Sequence, residues 1–181
     1  MSRRSADPTA LGRAFRRRLR SAGRQAASGK GAVRPVLGGI VSEYLHPSLA
    51  NLQADAGYDF CYLETEHGYF YTPQLPAFVH TGRARNLPAI AKTEIDRGEA
   101  ARLLEAGVCA LQLPRTESAE QLAALADLAT FPPGGSRAGA PGYGNTDYAI
   151  PEDHAAWLRR ANQSISLVAH IETAAGYENA A

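Results

Sequence analysis

Five short apolar runs that alternate with segments of helical character are the feature that most restricts the fold of this chain. The runs contain few charged residues, as expected for strands that are buried on both faces of a sheet. Regular alternation of strand and helix favours a parallel sheet with right-handed crossover helices. The predicted strands span residues 35–41, 58–63, 88–92, 109–113 and 165–171.

Capping signals place the helices between these strands. Asp96 is expected to cap a helix that stops at Gly107, and Ser118 with Gln121 forms a capping-box pattern. Thr72 is the expected cap of an earlier helix. The predicted helices span residues 47–56, 73–85, 97–106, 119–130 and 151–161, and a long loop rich in glycine and proline covers residues 131–148.

Charge is distributed unevenly along the 181 residues. Residues 1–30 contain nine basic residues and one acid, whereas residues 31–181 contain ten basic and seventeen acidic residues. We therefore divide the chain into a basic N-terminal leader, 1–30, and a folded domain, 31–181. Within the leader we predict a short helix at 11–20 and a linker at 21–31. Its arginines could contact nucleic-acid or membrane phosphates, but the acidic domain offers no basic groove, so a solvated face is favoured.

Several functional classes lack support in the sequence. Cys61 and Cys109 lie inside apolar runs and are expected to be buried free thiols, because no zinc-type spacing is present. No dinucleotide-binding GxGxxG, P-loop or GxSxG pattern occurs. No apolar run approaches the roughly 20 residues that span a membrane. We expect a cytoplasmic protein without nucleic-acid or membrane partners, and an organellar transit peptide is the alternative interpretation of the leader.

The predicted strands end in polar residues, and the end of the second strand is crowded. Glu64, Glu66 and His67 follow this strand within four residues. Active sites of α/β proteins form at the carboxyl ends of parallel strands, which share one edge of a sheet or one rim of a barrel. The other strand ends contribute Glu43, Lys92, Glu94, Arg115 and Glu172 to the same rim.

Four motifs, in order along the chain, resemble the HpcH/HpaI-type class II 2-oxo-acid aldolases. The segment DAGYDFCYLETEHG at 55–68 is similar to the strand-two signature of that family. LLEAG at 103–107 with LQLP at 111–114 resembles its L-D-x-G-A … I-x-P segment. FPPGGSR at 131–137 resembles its Y-P-P-x-G-x-R loop, and HIET at 170–173 resembles its Q-x-E-T/S strand-five end.

The resemblance implies a (β/α)8 barrel of the pyruvate/phosphoenolpyruvate superfamily that breaks or forms C–C bonds next to pyruvate with a divalent metal ion. On this basis His67 is the expected catalytic base, and Glu105 is the acid that pairs with it. Glu172 is the expected ligand of Mg²⁺ or Mn²⁺, with Co²⁺ as a further option. His170 lies where many members have an active-site Gln. Arg137 is a substrate-binding candidate, with anchoring of its loop as the alternative.

The sequence departs from the family pattern in three respects. The family's enolate-binding arginine aligns with Ala91, so Lys92 and Arg115 are the candidate sources of positive charge. His170 and Glu105 replace a Gln and an Asp. Family members also continue through three more strands, one of which carries a second metal carboxylate. We therefore expect five of the eight βα units here, in a truncated chain or in a half-barrel that another chain completes.

The leading hypothesis is a metal-dependent aldolase-type lyase that acts on a 2-oxo acid and an aldehyde. The alternative is a catalytically impaired, aldolase-derived protein that binds a keto acid or a partner. A homo-oligomer is expected if the full barrel forms. His46, His80 and His154 are interpreted as surface or loop histidines.

Overall fold

Five parallel strands form one sheet, in the order in which they occur along the chain. The computed structural model describes residues 7–29, 31–68 and 73–180. The strands are β1 (Gly38–Val41), β2 (Phe60–Leu63), β3 (Ala89–Lys92), β4 (Ala110–Leu113) and β5 (Ser166–Ala169), and each pairs with the next. A parallel sheet in sequential order is the arrangement of a (β/α)8 barrel. The predicted fold class is therefore confirmed, with five βα units present.

Helices connect the strands as the capping signals predict. In the described ranges the α-helices are α1 (Ala10–Ser28), α2 (Pro47–Asp55), α3 (Gln74–Ala84), α4 (Arg97–Ala106), α5 (Ala119–Ala129), α6 (His154–Ser164) and α7 (Ala174–Glu178). Asp96 caps α4 by accepting from the Glu99 N–H at 2.7 Å, and the capping box of Ser118 and Gln121 is present at α5. The predicted cap Thr72 lies outside the described residues.

The main hydrophobic core lies between the sheet and helices α2 to α5. Leu63, Ala91 and Leu111 of three successive strands are fully buried in it. Phe78 of α3 and Leu104 of α4 pack into the same cluster. Burial of one such large apolar side chain contributes about 1.5–3 kcal/mol. This layer therefore fixes which residue of each strand points away from the helices, toward the opposite face of the sheet.

Helix α1 covers part of that opposite face, near the start of the strands. Phe15 is 4% exposed and packs with Ile90 and Ala110 in a second apolar cluster. Its ring centroid lies 5.6 Å from that of Phe60. Arg18 also forms an ion pair with Asp59 at 2.5 Å. The N-terminal helix is therefore packed on the sheet.

Two helices differ in extent from the prediction. Helix α1 continues through most of the predicted linker, because its Ala, Arg and Gln residues are strong helix formers. It ends at Gly29, whose φ of 62° is the left-handed conformation that terminates helices. Helix α6 begins three residues later than predicted. Asp153 is its N-cap and accepts from the Ala156 N–H at 2.8 Å, so Pro151 precedes the helix.

The two cysteines are buried, as the sequence predicts. Cys61 and Cys109 are buried free thiols, and burial raises the pKa of each to about 12. Both are therefore protonated at neutral pH and act as small apolar side chains. Along the described stretches, no helix has the length and apolar character needed to cross a membrane.

Candidate functional site

A buried lysine joins the ends of β2 and β3. Leu63 pairs with Ala91 in the sheet, so Glu64 and Lys92 are the next residues on the two strands. The Lys92 Nζ lies 2.9 Å from Glu64 Oε2 and 2.7 Å from Glu66 Oε2. The lysine side chain is 5% exposed. Ala91, which aligns with the arginine of the family pattern, faces the helix layer. Lys92 points to the opposite face of the sheet.

Glu64 also fixes the loop after β2. Its Oε1 accepts from the Glu66 N–H at 3.0 Å and from the His67 N–H at 3.3 Å. Burial opposes ionisation of Glu64, but the Lys92 ammonium and these two N–H groups outweigh it and lower the pKa of the carboxyl. The pKa of Lys92 is raised, because its hydrogen bonds to Glu66 and Glu64 outweigh the effect of burial. The pair is therefore ionised at neutral pH.

Tyr62 and Gln112 lie beneath this pair on the inner face of the sheet, which is the face opposite to helices α2 to α5. The Tyr62 hydroxyl donates to Gln112 Oε1 and lies 3.4 Å from Glu64 Oε2. Burial, together with the charge of Glu64, raises the pKa of Tyr62 to about 12. The phenol is therefore protonated at neutral pH, and its one proton serves the hydrogen bond to Gln112.

His67 stands at the edge of this group. Its side chain is 75% exposed, and its Nε2 lies 3.6 Å from Glu66 Oε2. This distance permits an ion pair when the ring is protonated but is too long for a direct hydrogen bond. Glu64, Glu66, His67 and Lys92 together are called the rim cluster below. The rim cluster holds an accessible imidazole next to a fixed acid–base pair.

A second polar group follows β4 and β5. Glu172 Oε1 accepts from the Arg115 N–H at 2.8 Å, and Glu172 Oε2 lies 3.5 Å from His170 Nε2. Arg115 has a left-handed φ of 46°. The buried His170 Nδ1 has no hydrogen-bond partner among the described residues. Arg115, His170 and Glu172 are called the β5 group.

An open trough on the inner face of the sheet reaches both groups. Its volume is about 610 Å³, and its lining is mainly apolar, with Tyr62, Glu64, Gln112 and His170 as polar members. A concave, largely apolar surface with a few converging polar groups is the usual form of a small-molecule site. The interior of a complete barrel is filled by side chains, so the candidate binding site is the end of the trough at Glu64 and His170.

Two predicted site residues lie elsewhere. Glu105 is in the last turn of α4, just before β4 begins, and Arg137 lines a cavity with residues that precede β4 and β5. Both are therefore at the end of the sheet where strands begin, whereas His67 follows the end of β2. Within this chain, Glu105 therefore does not meet His67, and Arg137 does not reach the trough. The motif alignment could not show this separation, because it does not reveal at which end of the sheet a residue lies.

The structure adds two residues to the predicted set. Tyr62 and Gln112 form the hydrogen-bonded floor of the site next to Glu64, although neither was a predicted site residue. Alternation along β2 and β4 was a usable signal, because a polar residue inside a buried strand points to a polar environment on one face. Gln112 within LQL and Tyr62 within CYL fit this pattern.

The polar side chains near the trough offer few unpaired oxygen atoms to a divalent metal ion. No group of three or more His, Cys, Asp and Glu side chains suited to a metal occurs in residues 7–29, 31–68 and 73–180. The carboxylates of Glu64 and Glu66 are already paired with Lys92. Glu172 retains an oxygen without a strong donor, and Mg²⁺ binds through one or two carboxylates with water and substrate oxygens. The residues fit an ion held through Glu172, not an ion enclosed by protein ligands alone.

Comparison with known proteins agrees with this architecture. The family model for HpcH/HpaI aldolase/citrate lyase matches residues 43–181. A 4-hydroxy-2-oxovalerate aldolase of Novosphingobium aromaticivorans is 32% identical over 158 residues, which cover 83% of this chain and 57% of that protein. A hydroxypyruvate/pyruvate aldolase of Sagittula stellata is 27% identical over 136 residues, or 75% of this chain and 53% of that protein.

A solved structure gives the same result. The crystal structure of an HpcH/HpaI aldolase from Desulfitobacterium hafniense matches with a TM-score of 0.75 and 25% identity. The match covers 86% of this chain and 58% of that one. The chain thus spans somewhat more than half the length of the relatives it matches.

Proposed function

This chain belongs to the HpcH/HpaI aldolase/citrate lyase family, and we propose that the protein is an aldolase-type lyase. In this proposal it breaks or forms a C–C bond between a pyruvate-like 2-oxo acid and an aldehyde. Relatives named as aldolases of 4-hydroxy-2-oxovalerate and of hydroxypyruvate or pyruvate support this reaction class. The observation that carries the proposal is the rim cluster, in which an exposed imidazole adjoins a buried lysine and two carboxylates.

His67 is the proposed base. It takes the proton of the C4 hydroxyl of a 4-hydroxy-2-oxo acid, directly or through one water. The C3–C4 bond then breaks, so that an aldehyde leaves and the electron pair remains on the pyruvate unit as an enolate. His67 then gives the proton it has taken to C3, directly or through the same water, which completes pyruvate and restores the neutral ring. The Glu66 carboxylate, 3.6 Å from Nε2, is proposed to orient the ring.

Positive charge for the 2-oxo acid is proposed to come from Arg115. Lys92 holds its charge under the rim between two carboxylates, so we assign it to fixing the loop of His67. Arg115 is exposed at the end of β4, and we assign its guanidinium to the substrate carboxylate. His170, on the trough wall, is proposed to contact the keto acid.

The proposed cofactor is a divalent ion such as Mg²⁺ or Mn²⁺, with Glu172 as its carboxylate ligand. When bound, such an ion acts as a Lewis acid toward negative charge that develops on the substrate. Arg115 supports this role of Glu172, because its N–H holds Oε1 at 2.8 Å and fixes the direction of the carboxylate.

The test is release of pyruvate from a 4-hydroxy-2-oxo acid, with added Mg²⁺ or Mn²⁺. We expect His67→Ala to lower kcat/KM by about 10²–10⁴, the usual contribution of a general base. Glu172→Ala is expected to raise the metal concentration needed for half-maximal activity. His80→Ala and Glu152→Gln, which change an exposed histidine and an exposed acid away from the rim, serve as matched controls and should retain activity.

Equal pyruvate release by wild type, His67→Ala, Glu172→Ala and buffer would contradict the proposal. It would favour the catalytically impaired, keto-acid-binding alternative. Small 2-oxo acids and aldehydes are accordingly the proposed partners. A homo-oligomer and a cytoplasmic location belong to the same proposal.

A further inference from the structure

A small cavity lies at the end of the sheet opposite to the rim cluster. It has a volume of about 40 Å³ and is bordered by the first turn of α1, the residues just before β4, the loop after α5, and α6. By this measure a water molecule needs roughly 10–15 Å³, so the cavity has room for about three or four particles of that size. A large organic ligand does not fit.

Arg137 is a buried cation in the wall of this cavity. The residue is 6% exposed, and its Nε and Nη2 find no hydrogen-bond acceptor among the described residues. Its Cζ lies 4.5 Å from the centroid of the Phe131 ring, which covers one face of the guanidinium. Burial lowers the pKa of Arg137 to about 10, and the charge of Glu105 acts in the opposite direction. The side chain is therefore charged at neutral pH.

The other residues that line the cavity supply further donors, and the one acid that acts on Arg137, Glu105, lies outside the lining. Trp157, 2% exposed, lines the cavity, and its Nε1–H has no partner in the described part of the chain. At the start of α1 the Thr9 and Ala10 N–H groups bond to Asp7, which leaves the Leu11 and Gly12 N–H groups as donors that the helix itself cannot pair. Arg83 also lines the cavity, but its Nη2 is already paired with Asp147 at 2.9 Å and donates to the Pro8 carbonyl at 2.9 Å. No Asp or Glu belongs to the lining.

One acceptor accompanies these donors. Asn145 Oδ1 is buried without a hydrogen-bond partner, while its Nδ2 donates to the Ala140 carbonyl at 3.1 Å. A water molecule that donates to this oxygen fits the volume beside a monatomic anion. Every unpaired polar atom of the lining would then have a complementary partner.

We propose that this cavity binds a small inorganic anion of halide size, such as chloride, between Arg137 and Trp157. The anion compensates the buried guanidinium and accepts from N–H groups of two segments that are distant in sequence. It thereby fastens the loop after α5 and helix α6 to the N-terminal helix. The site is separate from the rim, so it does not depend on the proposed lyase activity.

The single tryptophan of the chain provides a direct readout. Bromide, a heavy analogue of chloride, is titrated at constant ionic strength with gluconate as the balancing anion, and Trp157 fluorescence is recorded. Because Trp157 is buried, bulk bromide collides with it rarely, whereas bound bromide quenches it. We expect saturable quenching that chloride reverses by competition. Arg137→Gln should weaken bromide binding by about 10-fold or more, as for loss of a charged hydrogen-bond donor.

Arg159→Gln, an exposed change on the same helix as Trp157, should leave the bromide titration unchanged. Should Arg137→Gln fail to fold, Arg137→Lys is used, and weaker binding is again expected. A second readout is the thermal midpoint, which should rise with the logarithm of chloride concentration but not with gluconate. Weak linear quenching that is equal in wild type and the Arg137 variants, with equal midpoints in both anions, would overturn the proposal and leave a cavity filled with water.

Discussion

At the scale of single residues, the rim depends on how Lys92 is directed. Lys92 was predicted from the sequence as a candidate source of positive charge. Counting along the motif, however, placed Ala91 at the position of the family's arginine. The sheet register places Ala91 in the helix layer and Lys92 against Glu64 and Glu66. Register depends on pairing between strands that are distant in sequence, so one chain segment alone could not decide which of the two residues faces the site.

Removal of this lysine is predicted to destabilise the fold. Lys92→Met leaves two carboxylates without their counter-charge, and Glu64 is only 13% exposed. Breaking a buried ion pair from one side costs about 3–5 kcal/mol, and we expect about 2–4 kcal/mol because Glu66 is partly accessible. Urea unfolding at pH 7 gives this value. Lys92→Met combined with Glu64→Gln should recover part of the loss, and a change below about 1 kcal/mol would refute the assignment.

Glu64 makes a separate prediction about pH. Its folded pKa lies below the ordinary value of 4.5, so its contribution is present above pH 4.5 and is lost as pH falls through the folded pKa. The unfolding free energy of wild type should therefore exceed that of Glu64→Gln at pH 7, and the difference should shrink on acidification below 4.5. Urea titrations from pH 7 to pH 3 test this, with Glu152→Gln as control. A difference independent of pH would contradict it.

At the scale of helices and strands, prediction succeeded where the signal is local. Asp96, Ser118 and Gly107 act through residues within one turn, and the structure confirms all three. The end of α1 was misjudged because Gly23 and small residues suggested a linker. An exposed helix interior tolerates such residues, and only Gly29, in the left-handed conformation, ends the helix.

The two glycines of α1 are predicted to respond oppositely to alanine. A Cβ on Gly12 would overlap the carbonyl oxygen of Ser164, whereas one on Gly23 would meet no atom within 4 Å. Gly12→Ala should therefore lower the unfolding free energy by about 1–3 kcal/mol, as overpacking does. Gly23→Ala should raise it by about 0.5–1 kcal/mol. Urea unfolding compares both variants with wild type, and equal effects would refute the close packing of α1 on α6.

At the scale of the whole molecule, the motifs predicted the barrel fold and the rim. They did not predict at which end of the sheet each matching residue lies. Glu105 and Arg137 belong to matching motifs, yet both lie where strands begin. A motif shows which residues share a family pattern, and the path of the chain decides which of them meet. The division into leader and domain is a further prediction that concerns the molecule as a whole.

Substitution of Phe15 tests whether the leader unfolds together with the sheet. Phe15→Ala removes a ring that is 4% exposed and packed on β2, β3 and β4, so we expect a loss of about 3–5 kcal/mol. Circular dichroism and Trp157 fluorescence should report one shared transition in urea. Arg17→Ala, on the exposed face of the same helix, should have little effect. Two separate transitions in wild type would indicate an independent leader.

The central claim is that the rim stabilises a pyruvate enolate with His67 as base. Exchange of the pyruvate methyl protons in deuterium oxide, followed by proton NMR with added Mg²⁺ or Mn²⁺, tests it without knowledge of the aldehyde. We predict exchange faster than in metal-containing buffer, and a decrease of about 10²-fold or more in His67→Ala but not in His80→Ala. Exchange at the buffer rate, or equal exchange in wild type and His67→Ala, would contradict the claim.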